Sequence, residues 1–364
     1  MSVAAEGPAR PTGRARVEDI LLRAPSRGEV LTVRDLRVDF RRGGGPAIPA
    51  VRGVDLALHA GRTLVLLGES GSGKSVTARA IMRLHGASAA IGGDVRFGDT
   101  PLLELPEATM QGLRGAAIGL VPQDPSGSLD PLRRIGAQLV EVLVRHGVAP
   151  DARRARERAA GLLERVGVPD PPRVLAARPF ELSGGLRQRV AIALAIACRP
   201  KVLIADEPTT ALDVTVQAQV LELFSELCRD LHVALLLVTH DVGVARVVGD
   251  DVAVMYAGRI VESGPVDAVL DAPAHPYTAG LLDALPTPGA RRGSLRAIPG
   301  RPPAPDEPGL DDRCALAPRC PLAVAACRDH RPPLVAIGPG RASACDVVTG
   351  PVPRPVPSDL DAVR

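Results

Sequence analysis

Hydrophobic and polar positions follow strand-like patterns along Val30–Phe40 and again along Val51–Leu58, with Gly43-Gly44-Gly45-Pro46 as the turn between them. Thr63–Leu67 is a short, wholly buried type of strand that runs into a glycine-rich loop, and Ser75–Leu84 reads as the helix behind it. From about Pro131 to Arg178 the period is mostly helical. Ala155, Ala159, Leu162, Leu163 and Val166 fall on one face of that stretch, and Gly167 is a stop signal. Val202–Ala205 and Val233–Val238 are apolar throughout, as strands buried on both faces are. Between them Val216, Val220, Phe224 and Leu227 form a helical stripe. Strands alternating with helices imply an α/β fold with a parallel sheet.

The pattern fails at both ends. Residues 1–28 are rich in Pro, Arg and Ala without a period, which predicts a disordered, mobile tail. After about Pro286 proline and arginine rise, periodicity is lost and four cysteines appear, which predicts a separate small appendage over 286–364. The unit between, 29–285, holds one α/β domain with its helical part at about 130–185, and no internal repeat is visible.

Composition adds limits. A chain of 364 residues, 46% apolar and 23% charged, buries a full core with room for an appendage. A net charge of +3 gives no nucleic-acid footprint. No apolar run reaches the ~18–20 residues needed to cross a bilayer, and the N-terminus lacks the apolar segment of a secretory signal. The expectation is a soluble, cytosolic chain that meets a membrane only through partners.

Chemistry concentrates in two places. Gly68-Glu69-Ser70-Gly71-Ser72-Gly73-Lys74-Ser75 fits G-x-x-x-x-G-K-[ST] between a predicted strand and a predicted helix. Its backbone N–H groups and the helix N-terminus converge on phosphates, Lys74 reaches the β- and γ-phosphates, and the Ser75 hydroxyl serves Mg²⁺. Among 44 basic residues only Lys74 and Lys201 are lysines, which makes Lys74 stand out. Val202–Ala205 then ends in two carboxylates, Asp206 to hold Mg²⁺ and Glu207 to polarise the attacking water. An apolar strand ending in Asp-Glu is common alone and gains its meaning from the phosphate loop upstream.

Leu182-Ser183-Gly184-Gly185, followed by Leu186-Arg187-Gln188-Arg189, resembles the signature motif of ABC ATPases. Physically it is another helix N-terminus able to grip a γ-phosphate. The resemblance implies a P-loop NTPase fold with a RecA-like parallel-sheet core, an antiparallel β subdomain and a helical subdomain, and an ATP hydrolase of the translocase class. It implies a nucleotide cradle from Gly68 through Val76, and a grip by Ser183, Gly184 and Gly185 on ATP held by a facing subunit. By the same resemblance Gln123 senses Mg²⁺ and the attacking water, Asp213 crosses the dimer interface, His240 touches the γ-phosphate and Phe40 stacks on adenine. Each has a plainer alternative: a solvated Gln, a helix N-cap at Asp213, a structural His, a strand-core Phe. The family's signature most often has Gln where this chain has Leu186, and an apolar residue there is similar to the peptide-importer branch.

Val121–Arg134 (VPQDPSGSLDPLRR) and His275-Pro276-Tyr277-Thr278 resemble oligopeptide and dipeptide importer ATPases, and the likeness runs from Val30 to about Ala344. It implies a second, different ATPase subunit, two membrane permease subunits docking near the segment after Gln123, and an extracytoplasmic solute-binding protein. The place implied is the cytoplasmic face of the membrane, as a peripheral subunit. Nickel or another small solute is the alternative cargo. Soluble ABC ATPases of translation or DNA repair carry two cassettes or a long coiled coil, and exporters commonly fuse a membrane domain; this chain has neither feature.

Cys314, Cys320, Cys327 and Cys345 are spaced C-x5-C-x6-C-x17-C. A reducing cytosol disfavours disulfides. Four thiolates suit zinc or an iron–sulfur cluster, and without a C-x-x-C pair the spacing alone does not choose. The family resemblance adds weight to a [4Fe–4S] cluster, with Zn²⁺ as the alternative. Cys198 and Cys228 lie on predicted core helices as inert buried thiols.

Overall fold

The computed structural model describes residues 13–41, 43, 45–210, 212–285, 297–348 and 350–352. The first element corrects the expectation of a mobile tail: α1 (Gly13–Arg23) is a helix. Val17, Ile20 and Leu21 recur at helical spacing and pack on the core beside α1, with Ile20 itself buried. Three apolar residues among Pro and Arg were too short a stripe to read. Residues 1–12 of that expected tail lie outside the described residues.

β1 (Glu29–Phe40) and β2 (Ile48–His59) form the predicted antiparallel pair, with Phe40 opposite Ile48. β3 (Thr63–Leu67) leads through the glycine loop into α2 (Lys74–Ile81). β4 (Ala89–Phe97) and β5 (Thr100–Pro101) complete a four-stranded antiparallel sheet in the order β2-β1-β4-β5. α3 (Glu107–Leu113) follows, and its Gly112 gives α1 room: a Cβ there would stand 2.6 Å from Val17 Cγ2.

β6 (Ile118–Val121) enters the second sheet, and a helical excursion follows it. This comprises α4 (Pro125–Ser128), α5 (Ile135–Arg145), α6 (Ala152–Arg165), α7 (Pro171–Ala176) and α8 (Gly184–Ile196). Ile135, Leu139 and Leu143 of α5 bury with Ala155, Ala159 and Leu163 of α6, two i, i+4 stripes facing one core. Asp151 and Asp170 cap α6 and α7 by accepting from the N–H of Arg154 and Arg173.

β7 (Val202–Asp206), α9 (Val214–Leu231), β8 (Ala234–Thr239), α10 (Val242–Val248) and β9 (Asp251–Tyr256) restore the alternating order. Every residue of β7 and β8 is buried, as their apolar runs require. β10 (Arg259–Pro265) turns back antiparallel on β9, and α11 (Val266–Asp271) and α12 (Pro276–Asp283) follow. Strands β6, β7, β8, β3 and β9 run parallel, so their C-terminal ends share one edge. That edge is where open α/β sheets place ligands.

The C-terminal extension is not the separate appendage expected. β11 (Val335–Gly338) pairs with β12 (Arg341–Ser343), and β12 pairs with β10, giving an eight-stranded sheet ordered β11-β12-β10-β9-β3-β8-β7-β6. Arg52 of β2, buried at 5% exposure, donates to Asp311 at 2.6 Å and to the Pro305 carbonyl at 2.6 Å. Arg341 donates to the fully buried Glu262 at 3.1 Å. Strands of three and four residues carry no readable period; the edge of β10 supplies their register.

Candidate active site

Glycine makes the phosphate loop possible. Gly71 and Gly73 have φ of 80° and 107°, where a side chain is strained. A Cβ on Gly68 would lie 2.2 Å from the Met255 carbonyl oxygen. Lys74 closes the loop on itself: its Nζ donates to the carbonyls of Gly68 and Glu69, each at 2.9 Å. Burial lowers the Lys74 pKa, and the charges of Glu207, Asp206 and Glu69 oppose that shift. An ammonium at 4% exposure, held by neutral carbonyls, is ready for an anion that supplies more.

Ser75 Oγ donates to Asp206 Oδ1 at 2.6 Å, across the strand that separates β3 from β7. Asp206 Oδ2 is buried without a hydrogen-bond partner, with Arg79 Nη2 at 3.7 Å. Burial raises the Asp206 pKa, while the Ser75 hydrogen bond and Arg79 pull it down. A hydroxyl and a carboxylate with a spare buried oxygen form a donor set that fits Mg²⁺.

Glu207 follows at φ +46°, a left-handed backbone that costs a non-glycine residue about 1–2 kcal/mol. Its N–H donates to the Val238 carbonyl at 2.9 Å, which holds the turn. The carboxylate is then met from three sides. Gln123 Nε2 donates to Oε2 at 3.0 Å, Thr210 Oγ1 to Oε2 at 3.2 Å, and His240 Nδ1 stands 3.4 Å from Oε1. Gln123, Glu207 and His240 come from the ends of β6, β7 and β8, so the parallel sheet itself gathers them. Lys74, Gln123 and Glu207 line one cavity of about 280 Å³, and Pro303, Pro305 and Leu310 of the extension line it with them.

Ser183 is the N-cap of α8, its Oγ accepting from the Leu186 N–H at 3.4 Å, and Ser183 and Gly184 are exposed. This helix tip is not among the residues lining the phosphate-loop cavity. Asp213 caps α9 by accepting from the Val216 N–H at 3.0 Å, so its plainer alternative is realised whatever else it does. Phe40 is half-buried, packs edge-on against His85 with centroids 5.4 Å apart, and is not among the cavity's lining residues.

Sequence reasoning missed Arg319, Tyr256 and Thr210, and saw the His275-Pro276-Tyr277-Thr278 stretch only as a likeness. His275 Nδ1 accepts from the Tyr277 N–H at 3.1 Å, and Tyr277 Oη accepts from the Glu69 N–H at 2.8 Å. The stretch therefore caps α12 and reaches the phosphate loop. The chain's two tyrosines, both wholly buried, were the available signal.

The four extension cysteines are half-buried free thiols. Burial is the main cause that raises the pKa of both Cys314 and Cys320, and neighbouring thiols of the group add to it: Cys327 and Cys345 for Cys314, the other three for Cys320. Among the described residues no group of three or more His, Cys, Asp or Glu is gathered to hold a metal ion. The arrangement of these thiols therefore supports neither the expected [4Fe–4S] cluster nor its zinc alternative. Burial pushes Cys198 and Cys228 each up to about 11, as inert thiols require.

Among the described residues no helix is long and apolar enough to cross a membrane. The family profile described as "ABC transporter" matches residues 51–210, and that described as "Oligopeptide/dipeptide transporter, C-terminal region" matches residues 261–327. The oligopeptide transport ATP-binding protein OppD of Salmonella typhimurium is 46% identical over 87% of this chain and 93% of its own length. The OppD of Bacillus subtilis is 48% identical over 79% of this chain and 80% of its own. Among solved structures, the dimeric ATP-binding cassette MJ0796 in a post-hydrolysis state with ADP and Pi is similar at a TM-score of 0.58 and 27% identity. That likeness covers 65% of this chain and 98% of that one.

Proposed function

This chain belongs to the ABC transporter ATPases with an oligopeptide/dipeptide-type C-terminal region, and from that membership we propose that it hydrolyses ATP to drive peptide uptake through separate membrane subunits. The convergence of Lys74, Ser75, Asp206 and Glu207 on one sheet edge carries the ATP half of this reading. The peptide half is supported by the relatives' names and the C-terminal region.

In this reading the loop from Gly68 to Val76 wraps the phosphates and Lys74 turns from its carbonyls towards them. Ser75, Asp206 and Gln123 would hold Mg²⁺, which would neutralise phosphate charge when bound. Glu207, oriented by Gln123 and Thr210, accepts a proton from the attacking water. His240 stands beside Glu207 for the γ-phosphate. Ser183, Gly184 and Gly185 present an exposed helix tip to ATP on the facing subunit, with Asp213 at the same interface. Phe40 is the ring offered to adenine, with His85 packed edge-on beside it.

The partners are two membrane permease subunits and an extracytoplasmic solute-binding protein, with a different ATPase paralogue opposite. The chain then sits peripherally on the cytoplasmic face. A [4Fe–4S] cluster on Cys314, Cys320, Cys327 and Cys345 rests on family resemblance alone, since among the described residues these thiols are not gathered into a metal-holding group. Iron and sulfide analysis of anaerobically purified protein tests it; zinc, or no metal, overturns it. The transport reading is tested by reconstituting the chain in proteoliposomes with the membrane subunits that copurify with it and a peptide-binding protein. ATP-dependent uptake of labelled peptide, lost on Lys74→Ala, is expected; uptake of nickel alone, or peptide uptake unaffected by Lys74→Ala, contradicts it.

A further inference from the structure

Glu69 lends its backbone to the phosphate loop, yet its side chain has no part in the chemistry above. Its carboxylate is taken by an arginine 250 positions away: Arg319 Nη1 donates to Oε2 at 3.1 Å and Nη2 to Oε1 at 3.3 Å. The same guanidinium donates to Tyr256 Oη at 3.2 Å and through Nε to the Pro299 carbonyl at 2.9 Å. Its carbon sits 5.8 Å from the Tyr256 ring centroid. Arg319 is 6% exposed, and Tyr256 packs at a tilt on Tyr277 with ring centroids 4.5 Å apart, while Tyr277 Oη accepts from the Glu69 N–H. Glu69 is thus fixed at both its backbone and its carboxylate by residues from outside the loop.

The consequence reaches Lys74, because the carbonyls of Gly68 and Glu69 are what hold its Nζ. A carboxylate beside a polyanionic nucleotide is also a repulsive neighbour unless it is paired. We propose that Arg319 is a positioning residue for the phosphate loop, neutralising and orienting Glu69, so that the C-terminal extension is part of the ATP site. The cavity agrees, since Pro303, Pro305 and Leu310 of that extension already line it. Asp311 ties this segment to the domain by accepting from Arg52 and from Arg259 Nη2 at 2.5 Å. Arg319 also directly precedes Cys320, so the Glu69 contact and the thiols belong to one continuous segment.

This inference rests on the phosphate loop being an ATP site, and the experiment separates the two. Mg-ATP affinity, KM and kcat are measured on the purified full-length chain as wild type, Arg319→Gln, Arg319→Lys and Glu69→Gln/Arg319→Gln. Arg319→Gln is expected to raise the ATP Kd and KM about tenfold, the worth of one charge-assisted hydrogen bond, with kcat largely kept. Arg319→Lys recovers part of that loss. The double variant, which has no unpaired carboxylate, returns close to wild type. Should Arg319→Gln not fold, the double variant decides: a wild-type-like Kd supports the proposal and a weak one overturns it. Equal Kd in wild type and Arg319→Gln overturns it, even if the melting temperature falls. A wild-type chain that binds no Mg-ATP sinks the ATP reading instead.

Discussion

Gln123 Nε2 donates to Glu207 Oε2 across 3.0 Å, although the two residues follow different strands, β6 and β7. The contact holds a carboxylate that the backbone presents in a left-handed conformation. Gln123→Ala leaves the phosphate loop intact but frees the Glu207 side chain. Steady-state ATPase kinetics are expected to show kcat down by at least about tenfold with KM little changed, the mark of lost orientation. A rise in KM alone contradicts that role.

Asp206 is a site where function costs stability. Its pKa is raised mainly by burial, so the folded chain binds that proton more tightly than the unfolded chain does. Its contribution is therefore present below the unfolded value of 3.8 and is lost as pH rises through the folded value. At neutral pH the nucleotide-free chain carries a buried carboxylate with one unpartnered oxygen. Asp206→Asn is expected to raise the melting midpoint of the nucleotide-free chain while abolishing Mg²⁺-dependent hydrolysis. A lowered midpoint by scanning calorimetry contradicts this.

His275 should make the fold acid-sensitive. Complete burial lowers its pKa from 6.5 to about 4. For a group depressed in the folded state, stability is whole above pH 6.5 and is lost as pH falls towards 4. The full loss is about 3 kcal/mol from that difference. Glu262, which accepts from the His275 N–H at 3.1 Å and is raised by burial, shifts stability the other way. Comparison between variants isolates the histidine: His275→Asn keeps a capping side chain, and its urea midpoint is expected to vary less than wild type between pH 7 and 4. Equal slopes contradict the assignment.

Much of this was legible because it depends on local sequence. Val202–Ala205 and Val233–Val238 are short, wholly apolar runs of the kind that parallel strands bury on both faces, and the glycines at 71 and 73 are required by their φ values. The gathering of Gln123, Glu207 and His240 was foreseeable only through family likeness, because it follows from strand order. What could not be read depends on distant partners. α1 is fixed by Gly112, β12 by the edge of β10, and Arg319 by a loop 250 residues upstream. The Cys-bearing segment looked detached because Asp311 and Arg341 carry no signal of the partners they meet.

The most direct measurement is ATP turnover by the assembled transporter carrying Glu207→Gln in this chain, with Mg-ATP binding followed in parallel. Binding should persist while phosphate release at this site falls by at least about a hundredfold. Turnover at the wild-type rate, with binding intact, would contradict Glu207 as the base and with it the site built around that residue.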